Sequence, residues 1–231
     1  MLRRLQVFAV MAVSLASLLA PAVAQDRANV NVQEDFSPGT LSHLEMPFPE
    51  DWQILKEGDL HYLHMLSPRP PGVPRRPLQF ARLKGVSVGS FTLNLKIRRE
   101  HGSMIVVFGY VDTLHFYYAH LSKDPGAKVA VHNGIFIVDG GERRRIAGVS
   151  AQPALPDLSW HDVRIVRDVG SGSIQVFVDQ QAQPLFSVVD RTFLCGQIGL
   201  GSFDETGDFA HLRLKGTSAE CHPAATKPGR D

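Results

Sequence analysis

From Asp35 onward the apolar residues recur at every second position, and stretches with a helical period are hard to find. In residues 91–98, Phe91, Leu93, Leu95 and Ile97 point one way while Thr92, Asn94, Lys96 and Arg98 point the other, the pattern of an antiparallel strand with one wet face. Residues 173–179 repeat it with Ile174, Val176 and Val178 inward; residues 161–168 do so less cleanly, because Val166 falls on the polar side. Further strands are predicted at 60–65, 78–83, 104–109, 116–121, 135–138, 144–147, 185–189, 197–203 and 209–215. Turn chemistry separates them: Lys123-Asp124-Pro125-Gly126, Asp139-Gly140-Gly141, Gly170-Ser171-Gly172 and Glu205-Thr206-Gly207. About a dozen short strands without helical crossovers predict an all-β fold, two antiparallel sheets packed face to face as a β-sandwich, and exclude a βαβ architecture.

Proline and glycine refine this outline. Residues 67–77 hold five prolines, which lack the N–H a ladder requires, so this stretch is predicted to be a loop within one domain. Gly199 and Gly201 inside a β-rich run predict a bulge or a close backbone approach, and Asp204 to Gly207 is expected to close a hairpin between the last two strands. Trp160, just ahead of a strand, is expected to pack into the core. The chain divides into residues 1–24, a domain over 25–216 and a frayed tail over 217–231.

The first of these segments sets the compartment. Arg3 and Arg4 precede an apolar run from Val7 to Ala20 and then Pro21-Ala22-Val23-Ala24, a cleavable signal peptide with cutting expected after Ala24. The run is shorter than the roughly 20 residues that span a bilayer, and no later segment is apolar enough, so the mature protein is expected to be secreted or periplasmic, without a membrane span. Removing the two arginines takes the formal net charge from +1 to −1, which leaves no basic bias for nucleic acid. The remaining clusters, Arg75-Arg76 and Arg143-Arg144-Arg145, are not interleaved with aromatics as a strand-binding groove requires. Cys195 and Cys221 are the only cysteines, and in an oxidising compartment they could pair and pin the tail near Gly196.

Candidate chemistry is sparse. On the 116–121 strand Tyr117, Ala119 and Leu121 share one face and Phe116, Tyr118 and His120 the other. If the small and aliphatic side is core, the aromatic side is a surface on which pyranose rings stack, with the imidazole donating to hydroxyls or moving a proton. His132 and Asn133 end the loop before the next strand and come near His120 if the two strands pair. Tyr118, His120, His132, Asn133, Arg145 and Asp112 are the candidate ligand contacts, the polar ones reading hydroxyls or a carboxylate. His61 and His64 have a zinc-like spacing on a helix, but on a strand an offset of three sends them to opposite faces. No Gly-x-Ser-x-Gly elbow and no phosphate-cradling loop is present.

The segments Val107-Phe108-Gly109-Tyr110-Val111-Asp112, His115 to Leu121, Trp160 to Asp168 and Gly199 to Phe209 resemble the concanavalin A-like lectin/glucanase superfamily. The likeness is to laminin G-like jelly rolls of exported bacterial proteins, including domains similar to 3-keto-disaccharide hydrolases and family 16 glycosidases. It implies a jelly roll over roughly residues 34–216 that binds carbohydrate on its concave sheet. The Glu-x-Asp-x-Glu strand of the family's glucanases is missing, so catalytic residues stay unassigned. A glycoside hydrolase or sugar lyase is the alternative, and a structural or protein-binding envelope module a second. The resemblance also implies two divalent-cation options. One is His120 and His132 with Asp139 or Asp112, and the other is a structural calcium at Asp35 and Asp208, although Ala210 and His211 stand where an acidic residue would be expected.

Overall fold

The computed structural model describes residues 28–128 and 132–221, so the expected signal segment and residues 222–231 lie outside it. Fourteen strands and two 3-10 turns appear among the described residues. The strands are β1 (Asn29–Glu34), β2 (Leu44–Glu45), β3 (Trp52–Glu57), β4 (Leu60–Met65), β5 (Gln79–Arg99), β6 (Ser103–Asp112) and β7 (His115–Ser122). They continue as β8 (Gly134–Asp139), β9 (Arg144–Ala147), β10 (His161–Asp168), β11 (Ser173–Val178), β12 (Phe186–Val189), β13 (Gly196–Ser202) and β14 (Gly207–Ser218). All pairings are antiparallel. Among the described residues no helix is long and apolar enough to cross a membrane.

The two predicted strands at 78–83 and 91–98 are one, β5, and it is shared between two sheets. Its first half pairs with β2 and β13, continuing through β6, β7, β8 and β9; its second half pairs with β10 and β14, continuing through β11 and β12 on one side and β1, β4 and β3 on the other. Gly85, at a φ of 69° that a side chain disfavours, lies in the irregularity of the β5–β13 pairing between Arg82 and Ser87, and the change of partner follows at Val88. The turn at 204–207 does not close a hairpin. β13 pairs with β5 and β6 whereas β14 pairs with β1, β4 and β5, so this turn carries the chain from the first sheet to the second.

Alternation then builds the core. Val106, Phe108, Tyr117, Ala119, Leu121, Ile135 and Ile137 of the first sheet meet Leu93, Leu95, Ile97, Val163, Ile165, Ile174, Val176, Leu212 and Leu214 of the second in one buried cluster. Burying each such aliphatic side chain contributes about 1.5–3 kcal/mol before chain entropy is counted. Both predictions for the 199–201 glycines hold. The register of β13 shifts between Gln197 and Gly199, and a Cβ on Gly201 would come within 2.2 Å of the Gln79 carbonyl oxygen. Trp160 is only half-buried, edge-on to Tyr62 and under the Arg98 guanidinium. Strands β1, β2 and β3 were not foreseen, and β14 runs two residues past Gly216, followed by a disulfide between Cys195 and Cys221.

Candidate functional site

The outer faces of the two sheets differ. On the first sheet, the alternation that sends Tyr117, Ala119 and Leu121 into the core turns Phe116, Tyr118 and His120 outward, in register with Val138, Phe136 and Gly134 of β8 and, for Tyr118 and His120, with Val107 and Ile105 of β6. Phe80, Ile105, Val107, Tyr110, Phe116, Tyr118, Phe136 and Val138 form a second apolar cluster there, with Tyr118 and Phe136 stacked at 5.1 Å. An open aromatic platform was expected. Instead Tyr118 is 0% and His120 1% exposed.

The cover comes from two loops. The proline-rich loop is tied at Arg76, whose Nε donates to the Thr113 carbonyl of the β6–β7 turn at 2.7 Å, and at Arg75, whose carbonyl accepts from the Arg143 N–H at 3.1 Å. From these anchors two guanidinium groups lie over the aromatic face: Arg143 is 4.0 Å from the Phe203 ring centroid and 5.0 Å from that of Phe136, and Arg75 is 4.9 Å from Phe203. Their long stems cover apolar surface while the charged ends stay at its edge.

A polar cluster lies under this roof. Arg143 donates to the Tyr118 hydroxyl at 3.0 Å and leans toward His120 Nδ1 at 3.4 Å; His120 Nε2 is 2.8 Å from Ser103 Oγ. An acceptor facing the guanidinium at Nδ1 places the ring proton on Nε2, which donates to Ser103. Phe203 stacks on the His120 ring at 5.9 Å, and the His132 ring is 5.2 Å from it on another side. Burial, and after it the Arg143 charge, holds His120 well below the usual imidazole range, so it is neutral. Burial likewise pushes the Tyr118 phenol up and keeps it protonated. With both ring nitrogens engaged, His120 has none left to move a proton. One Arg143 nitrogen, Nη2, is buried with no hydrogen-bond partner. Arg75 is exposed and Arg143 and His132 are half-buried, so these three are what a solute meets.

The other expected contacts are elsewhere or otherwise employed. Asn133 is fully buried: its Oδ1 accepts from the Ser122 and Ala154 N–H groups at 3.2 Å each and its amide donates to the Gln152 carbonyl at 2.6 Å, which makes it a staple between loops. Arg145 donates to the Gly126 and His132 carbonyls at 2.8 and 3.3 Å and thereby ties these two positions together. Asp112 binds His115 Nδ1 at 2.8 Å, and Asp139 pairs with His115 in register, so both lie at the opposite end of β7 from His120, five residues or roughly 17 Å away. A cation shared by His120, His132 and either carboxylate is therefore not built. Asp208 is clamped between His64 Nδ1 and Arg98 Nε at 2.7 Å each, while Asp35 faces His211 and Arg213, so the two carboxylates expected at a calcium each neutralise cations of their own. Among the described residues no group of three or more His, Cys, Asp or Glu could hold a metal.

The second sheet's outer face is open and polar. Asn94, Lys96, Asp162, Arg164, Phe177 and His211 line a groove of about 280 Å³. Most of the charges here are matched: Lys96 meets Asp162 at 2.8 Å, Arg213 meets Asp35 at 2.8 Å, and Arg98 nearby meets Asp208 and Glu57, while Arg164 lies over the Phe177 ring at 3.9 Å. Arg143 and Phe203, which complete the cluster on the other sheet, were missed as contacts. The run of arginines at 143–145 was the available signal, read there at Arg145 instead of two residues earlier.

No family model matches the chain, and no curated protein matches it in sequence. Solved structures do match its fold. A carbohydrate-binding module, CBM66, from Bacillus subtilis superposes with a TM-score of 0.53 at 15% identity, covering 77% of this chain and 96% of that one. The acidic lectin of winged bean, complexed with methyl-α-D-galactose, gives 0.54 at 10% identity over 84% of this chain and all of the lectin. A protein of unknown function with a galectin-like fold, also from Bacillus subtilis, gives 0.54 at 10% over 82% and 96%. At these identities the likeness shows a shared β-sandwich of the jelly-roll type, and the fold alone.

Proposed function

We propose that the protein is an exported saccharide-binding β-sandwich that contacts its ligand with Arg75, Arg143 and His132 at the Phe203 end of the first sheet. The observation that carries this reading is the Arg143 guanidinium, oriented by the Tyr118 hydroxyl and His120 yet left with a buried N–H that has no acceptor. Buried donors are nearly always satisfied, and one left over at the edge of a solvent-facing cluster is a feature a ligand oxygen would complete. Tyr118 and His120, expected as contacts, become positioning residues that fix Arg143 from behind. The jelly-roll fold shared with a carbohydrate-binding module and a lectin supports the ligand class by analogy.

A glycan array probed with the full chain, processed on export, tests this reading. Selective retention of some glycans is expected, with at least about a tenfold loss on Arg143→Ala, the size of effect that losing a charge-assisted hydrogen bond produces. Retention of no glycan at all, or undiminished retention by the variant, refutes it.

A further inference from the structure

Resting on that reading, we infer that the ligand is anionic, a saccharide bearing a carboxylate such as a uronic acid, and that Arg75 and Arg143 together receive the carboxylate. The two guanidinium groups come from different loops joined by the Arg143 N–H to Arg75 carbonyl bond, and both lie over the ring of Phe203, at 4.9 and 4.0 Å. Among the described residues neither forms an ion pair. Glu142 adjoins Arg143 in the chain and Asp204 and Glu205 follow Phe203, but none forms an ion pair with either arginine, and Asp124 is turned to His132 at 3.4 Å.

Most of the other arginines are treated differently, Arg164, alone over the Phe177 ring, being an exception. Arg69 is paired with Asp51 and Glu50, Arg82 with Glu45, Arg98 with Asp208 and Glu57, and Arg213 with Asp35; Arg99 and Arg167 satisfy themselves on backbone carbonyls. Two like charges held against one ring repel, and the repulsion is relieved when an anion bridges them. The fork of a guanidinium matches the two oxygens of a carboxylate, and the unmatched Nη2 of Arg143 supplies a donor already oriented. His120 next to it is neutral and adds no charge of its own, so the preference for an anion would reside in the two arginines.

The experiment is calorimetric titration of the full, processed chain with tri-galacturonate, its methyl ester and inorganic sulfate, repeated for Arg75→Gln and Arg143→Gln. The acid is expected to bind at least about tenfold more tightly than the ester and to weaken as salt is raised, with the ratio collapsing toward one in either variant. Arg75 is exposed, so its variant remains informative should Arg143→Gln fold poorly. Equal binding of acid and ester overturns the inference and leaves saccharide binding standing. Sulfate binding as tightly as tri-galacturonate also overturns it, since the site would then hold any small anion. Binding of none of the three, when a glycan array also shows nothing, removes the saccharide reading itself.

Discussion

The outer face of the first sheet and that of the second start from the same strand alternation and finish in opposite states. On β5, Asn94 and Lys96 alternate with core residues and remain at the surface of an open groove in which Lys96 is paired with Asp162. On β7 the outward positions are Phe116, Tyr118 and His120, and loops have closed over them. Outward is thus not the same as exposed. A sheet face bearing aromatic side chains from four strands stays in water only at a large free-energy cost, so a proline-rich loop and two arginine stems cover it. What remains accessible on that face is the charged rim of the cover, where a ligand would be met.

The contrast is sharpest in stability. Phe136→Ala, which removes a ring 2% exposed and stacked on Tyr118, is expected to destabilise the fold by about 3–5 kcal/mol, whereas Asn94→Ala on the opposite face should stay within about 0.5 kcal/mol. Urea unfolding of the two variants measures both; similar losses would show that the two faces are not differently packed.

His120 gives the next effect. Its imidazole is neutral in the folded state with its affinity for protons held below that of the unfolded chain, so the unfolded state binds the extra proton as pH falls. Stability is therefore complete above about pH 6.5 and is expected to fall below it by up to about 1.4 kcal/mol per pH unit until the folded-state value is reached. Thermal melts between pH 7 and 5 should show that slope, and His120→Gln should flatten it. An unchanged slope in the variant would mean another group is responsible.

The smallest effect belongs to the second sheet's rim. His211, then Arg213, lowers the Asp35 carboxyl to about 2, so its ion pairs are fully formed above pH 3.8 and are lost as pH falls toward 2. Because the site is nearly half exposed, solvent screening limits this to at most about 1 kcal/mol. Asp35→Asn should remove that part of the acid-induced loss in melts from pH 5 to 2, and a variant as acid-sensitive as the parent would exclude the pair as a contributor.

Most of the fold was legible before the structure. Eleven of the strands follow from period-two alternation and from the turn residues between them, because a strand with one buried face writes its register into the chain. β3 escaped notice since Ile54 and Leu55 are adjacent and both only partly buried, which breaks the alternation, and β2 is just two residues long. The candidate site was half legible. Tyr118, His120 and His132 do converge, as strand pairing implied, but Asp112 was placed with them although the pairing of β6 with β7 sets it opposite His115, at the far end of β7.

What the sequence determined by itself was therefore local: which residues face together, where the chain turns, and that two apolar layers must meet. Only the tertiary structure decided which loop lies on which face, that β13 and β14 part into different sheets, and that Arg75 and Arg143 reach the same ring with no carboxylate between them. Those outcomes depend on contacts between segments about 70 residues apart, whose geometry is set by packing and by the partners each charge finds, and no local pattern records either.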